Sequence, residues 1–251
     1  MQLYKNILNE FSLLFNMPNK TVSKRTTSGL SVKIRPARAN VFFQRMSLSC
    51  GIWAALWYAV LTLIAAMRFP GYNSFSQTVS ELSAVDAPTR SLWVWCCLAF
   101  SLLLLVFGRG IVLAAQQNRA LRITGILLIV YGAVGIFWPP MHSREVLAKG
   151  GKTMTDSLHI AFTIITSVII LLSMGFAAAA TGKRFRLYTL FTMALLLLFG
   201  MLTSMSASKL ETNLPTPWMG VWERVNIYAT MLWLAMLSIR ILNKEKMAAK
   251  I

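Results

Sequence analysis

Both histidines and six of the eight acidic residues fall in three short stretches of this chain, so that is where its polar chemistry is concentrated. The middle stretch opens Trp138-Pro139-Pro140-Met141-His142 and ends on Asp156-Ser157-Leu158-His159. Asp156 and His159 are three apart and share a helix face. Imidazole and carboxylate together suit zinc or another transition metal. His142, Asp156 and His159 are therefore candidate metal ligands, although D-x-x-H is far less diagnostic than H-E-x-x-H. A structural alternative stays open. Asp156 would be an N-cap favoured by the helix dipole, His159 would bond a loop carbonyl, and His142 would be solvated.

The first stretch runs Tyr72-Asn73-Ser74-Phe75-Ser76-Gln77-Thr78-Val79-Ser80-Glu81-Leu82-Ser83. In a helix, Ser76, Ser80 and Ser83 share a face, with Glu81 one position round. The plain alternative is a short interfacial helix capped by Asn73 or Ser74, its hydroxyls bonded to the backbone. The third stretch ends Gly220-Val221-Trp222-Glu223-Arg224. Adjacent residues on a helix do not face each other, so Glu223 and Arg224 need separate partners. Ionisable groups beside lipid are costly without one. Arg224 is expected to neutralise Glu81 or bind a phosphate, and Glu223 to join the histidines. Alternatively both sit in the headgroup layer, with Trp218 and Trp222 as an aromatic belt. Glu81 and Glu223 are the candidate catalytic carboxylates. Ser76, Ser80 and Arg224 are the candidate headgroup ligands.

The elements that must position these residues are membrane helices. Of 251 residues, 56% are apolar and only 13% charged, with the charges gathered in blocks. A helix needs about 20 apolar residues to span a bilayer. Six windows qualify: Leu48–Met67, Ser91–Phe107, Ile123–Trp138, Leu158–Ala180, Leu187–Ser206 and Val225–Ile239. Barrel strands would alternate polar and apolar residues, which these do not. The expectation is an all-α, polytopic, six-transmembrane-helix bundle over residues 46–242. A basic, disordered tail occupies residues 1–45, within which Tyr4–Met17 has the spacing of an amphipathic surface helix. A second basic tail occupies residues 243–251. Small residues Gly125, Gly132 and Gly135 in the third window predict close helix packing. No cleavable signal peptide is evident.

A formal charge of +17 would suggest nucleic acid on a soluble protein. Here topology explains it. With the N-terminus inside, eighteen of the 25 basic residues lie in inner segments and seven in outer ones. The positive-inside rule then puts both termini in the cytoplasm and the three polar stretches outside the cell (inner) membrane. Cys50, Cys96 and Cys97 all fall within spans and form neither a disulfide framework nor a metal motif. A secondary transporter would show broken helices or mid-membrane charges, and the span cores have neither. A diheme carrier would need histidines at both membrane faces.

These stations, in this order, resemble the six-helix membrane family known as domain of unknown function 998, a family related to the Frag1/DRAM/Sfk1-like membrane proteins. The residues that carry the likeness are Tyr72, Ser76, Ser80, Glu81 and Leu82, then Pro140, Met141 and His142, then His159, then Gly220, Glu223 and Arg224. Asn73, Val79 and Pro139 depart from the family pattern, and none of these departures removes an ionisable group. The likeness covers residues 47–242 and implies a shared outer site without supplying a reaction.

Two functions fit the residues. One is binding of a lipid headgroup, or organisation of membrane lipid, at the extracytoplasmic face, with membrane lipid as the partner and no nucleic acid. The other is a metal-dependent membrane hydrolase, with zinc or another transition metal activating water against a lipid ester or amide at the outer leaflet.

Overall fold

The computed structural model describes residues 38–212 and 214–248. The expected N-terminal tail lies outside the described residues as far as Ala37, and the Tyr4–Met17 segment falls wholly within that part. The described residues form seven α-helices and one short 3-10 helix, with no strand among them. The long helices are α1 (Arg38–Arg68), α2 (Arg90–Ala114), α3 (Arg119–Ile136), α5 (Met154–Ala180), α6 (Lys183–Glu211) and α7 (Met219–Ala248). A 3-10 helix (Ser80–Ser83) lies between α1 and α2, and the single-turn α4 (Arg144–Ala148) between α3 and α5.

Each apolar window falls on a helix long and apolar enough to cross a membrane, six among the described residues, and only the third window overruns its helix. The cause is the solvent. In hydrocarbon every backbone polar group must be satisfied internally, and a helix does this without a partner. The third helix stops at Ile136, so Trp138 lies outside it, ahead of Pro139 and Pro140.

The six long helices close a ring. Each packs on its chain neighbours, α7 returns to α1, and the α5–α6 seam is the lightest. Lipid is as apolar as leucine, so shape and polar bonds must hold such seams. Gly108 of α2 and Gly125 of α3 meet face to face. A Cβ on either would lie 2.6–2.7 Å from the other's carbonyl oxygen. Gly132 adds a second close approach, against the Ser101 carbonyl. Hydrogen bonds mark the other seams. Trp57 Nε1 donates to the Cys96 carbonyl (2.8 Å), Ser238 Oγ to the Leu48 carbonyl (2.5 Å), and Trp233 Nε1 to Thr189 Oγ1 (3.2 Å).

The main core gathers Leu104, Phe107, Leu128, Met174, Trp233 and Leu237. A smaller cluster at one end sets Val79 and Leu82, from the α1–α2 connection, against Leu61, Ala65 and Trp93. By burying those two side chains, the connection is pulled down onto the bundle end. The connections α1–α2, α3–α5 and α6–α7 all meet there and form a polar cap.

Candidate functional site

The cap is built on arginines whose donors satisfy carbonyls and carboxylates. Glu81, 3% exposed, receives a fork from Arg144: Nε donates to Oε2 at 2.8 Å and Nη2 to Oε1 at 2.7 Å. The Thr78 backbone N–H and hydroxyl donate to Oε1, and the Gln77 amide donates to Oε2. Arg144 Nη2 also donates to the Ser76 carbonyl at 2.8 Å. Bonding to the Glu81 carboxylate raises the Arg144 guanidinium further above its already high value. The expected partner of Glu81 was Arg224. Arg144, two residues after His142, takes that role instead.

Arg224 fastens the first connection to α7. Its Nη1 donates to the carbonyls of Ser74 (2.6 Å), Gln77 (2.9 Å) and Gly220 (2.9 Å), and its Nη2 to the Tyr72 hydroxyl (2.5 Å). The hydroxyl passes the chain on by donating to the Thr78 carbonyl at 2.7 Å. Burial pushes the Tyr72 phenol up, and the nearby Arg224 charge opposes the shift. Gly220 makes this clasp possible, because any Cβ there would strike the Gln77 and Ser74 carbonyl oxygens. Arg224 is thus committed to backbone, which leaves little of it for a phosphate.

Glu223 points to the same connection from the other side of α7. It accepts from the Val79 backbone N–H and, at 2.9 Å, from the Ser80 hydroxyl. The carboxylate therefore caps the start of the 3-10 helix, where a negative charge suits the exposed N–H groups. It does not meet the histidines through any bond. Residues 72–79 are turns, so the serine face drawn on a longer helix does not form. Ser76 contributes its carbonyl and Ser80 its hydroxyl to the cap.

The other half of the cap is organised by Asp156. Thr153 is the N-cap of α5 and Asp156 sits at N3, completing a capping box, so the acid is not itself the N-cap. Its Oδ2 accepts from the Thr153 N–H and hydroxyl. Its Oδ1 accepts from the His142 backbone N–H at 2.7 Å, and Oδ2 lies 2.9 Å from His142 Nδ1. A carboxylate so surrounded only accepts, so His142 Nδ1 carries the proton and Nε2 is left open. His142 is 21% exposed. Buried His159 bonds the Pro139 carbonyl through Nδ1 at 2.8 Å, and Trp138 packs edge-on against its ring. His142, Asp156 and His159 are thus neighbours round one connection. Among the described residues no group of three or more His, Cys, Asp or Glu side chains stands ready to hold one metal ion.

Beneath the cap lies a cavity of about 340 Å³ that spacing could not show. Ser80, Ser83 and Arg90 line its cap end, and Pro140 and Trp138 stand beside them. Trp93, Cys97, Ser101 and Leu104 of α2 face Tyr131 and Gly135 of α3 along its length. Val94, Trp95 and Leu98 also line it. Val94 and Trp95 are 50% and 69% exposed on a membrane-spanning helix, so the cavity adjoins lipid. One signal was available for Arg90: it is the basic residue that begins the second apolar window.

The family model described as "Protein of unknown function (DUF998)" matches residues 52–240, and the chain belongs to that family. No curated protein and no solved structure matches it.

Proposed function

We propose that this integral membrane protein binds a membrane lipid at the extracytoplasmic face of the cell (inner) membrane, beneath the polar cap. The observation that carries this reading is the cavity between α2 and α3, which joins a polar end under the cap to a lipid-exposed flank. Its volume falls within the range of small-molecule sites, roughly 300–1,000 Å³. The polar cap supports the reading in a second way. Its ionisable groups are bonded to one another and to backbone, as expected for a scaffold that holds a site open. Kinship with the Frag1/DRAM/Sfk1-like membrane proteins belongs to the same proposal and adds no reaction to it.

The test is lipid extraction and mass spectrometry on detergent-purified protein beside Gly135→Leu. In that variant the added side chain enters the cavity, and the nearest atom it meets is the flexible Ser101 hydroxyl. Lipid retained by the wild type and lost by the variant supports the reading. Equal retention by both overturns it.

A second reading, hydrolysis of a lipid ester or amide, is favoured by the His142–Asp156 pair. An imidazole oriented by a buried carboxylate, with Nε2 open, is suited to general-base work. Elemental analysis of the same preparations, with His159→Ala beside the wild type, tests its metal-dependent form. Stoichiometric zinc or another transition metal lost in the variant would make hydrolysis the leading reading.

A further inference from the structure

Four arginines stand at the cap end of the bundle: Arg68, at the end of α1, is exposed, and the other three are not equivalent. Arg144 is spent on Glu81, Ser76 and a long contact to Thr216. Arg224 is spent on three carbonyls and a hydroxyl. Arg90 makes one bond, from Nη1 to the Ser83 carbonyl at 2.9 Å. Among the described residues no carboxylate lies within ion-pair distance of it. A guanidinium carries five N–H donors in a fixed fork that matches a carboxylate or phosphate. At the membrane boundary such a charge needs a counter-ion.

The shape of the cavity limits what can follow that counter-ion. Its α2 wall runs from Arg90 to Leu104, fourteen residues or about 21 Å of helix. That length suits a hydrocarbon tail laid along the helix. Beyond Arg90 and the two cap serines, the walls are mostly aromatic and aliphatic. Trp93, Leu98, Phe100 and Ile136 suit a hydrocarbon tail.

We propose that the cavity holds an anionic amphiphile, its headgroup on Arg90 and its hydrocarbon lying along α2 towards Leu104. This rests on the lipid-binding reading above and names the chemical class of the ligand. The exposed Val94 and Trp95 give the tail a sideways route from the surrounding leaflet.

The experiment is native mass spectrometry of the full chain in non-ionic detergent, titrated with dodecyl phosphate, dodecanol and dodecyltrimethylammonium. Dodecyl phosphate should bind about tenfold or more tighter than dodecanol, as a charge-assisted bond to Arg90 requires. Dodecyltrimethylammonium should bind weakest. Arg90→Gln should bring dodecyl phosphate down to the level of dodecanol, while Arg90→Lys keeps part of the preference. Excess inorganic phosphate should not displace the probe, because the tail supplies much of the affinity. Equal binding of dodecyl phosphate and dodecanol by the wild type overturns the anionic assignment and leaves lipid binding standing. So does an unchanged preference in Arg90→Gln. Displacement by inorganic phosphate points to a free anion and overturns the amphiphile. No binding of any probe, or binding that Gly135→Leu leaves intact, overturns the lipid reading itself. The comparison of headgroups on the wild type decides the matter even if Arg90→Gln does not accumulate.

Discussion

Glu81 and Arg144 are 63 positions apart in the chain and form the most completely bonded ion pair of the cap. Removing one partner of a buried pair leaves the other charge uncompensated, which costs about 3–5 kcal/mol. Arg144→Met should therefore lower the melting temperature of the purified protein sharply. Arg144→Met combined with Glu81→Gln should recover most of that loss, because neither charge is then stranded. A double variant no more stable than Arg144→Met would show that the two are not coupled. The raised guanidinium pKa keeps Arg144 charged across the whole working pH range, so its contribution does not fade as pH rises. The sequence marked Glu81, Asp156, His159 and Glu223 as residues that need partners. It did not reveal which partners. Arg144 and Arg224 both stand at the polar end of the bundle, and only folding decides which one reaches Glu81. Arg90 belongs to no motif, and its lack of a carboxylate partner among the described residues is visible only in the fold.

At the scale of elements, the Gly108–Gly125 contact decides how closely α2 and α3 approach, and hence how wide the cavity between them is. Gly125→Val should force the two helices apart and cost about 1–3 kcal/mol, as overpacking does. Gly175, with nothing within 4 Å of a Cβ, is the control: Gly175→Ala should match or exceed the wild type. Thermal denaturation of both variants checks the pair, and a Gly125→Val protein as stable as the wild type would refute the close contact. All six spans were legible because the bilayer imposes one requirement, length of apolar helix, that composition alone displays. The glycines of the third window also signalled close packing. The connections were less legible. Residues 72–79 have helical spacing of serines yet form turns and irregular loop, because Arg224, from 150 residues away, and Tyr72, from within the segment, satisfy their carbonyls. Asp156 lies at N3 rather than at the cap because Thr153, three residues earlier, takes that position.

For the whole molecule, the six spans among the described residues and the basic bias of the segments on one side lead us to propose that both chain ends face the cytoplasm. Reporter fusions at the two termini should both show cytoplasmic activity, and an extracytoplasmic signal from either would overturn this orientation. Deleting residues 1–37 should leave the bundle assembled and its melting temperature within about 1 °C of the full chain, since the six spans lie within residues 42–245. Loss of the protein from the membrane fraction would contradict this.

The clasp between Arg224 and Ser74 spans 150 residues, and this has a consequence for biosynthesis. The first connection leaves the ribosome long before the residue that fastens it. At about 5–20 residues per second the gap lasts roughly 8–30 s. Throughout that time the carbonyls of Ser74 and Gln77 have no arginine, and the ring of helices has no α7 to close it. A chain that stops before α7 is therefore incomplete at its first connection as well as at its last helix. Membrane quality control needs only to sense that unfastened cap to tell a truncated copy from a finished one.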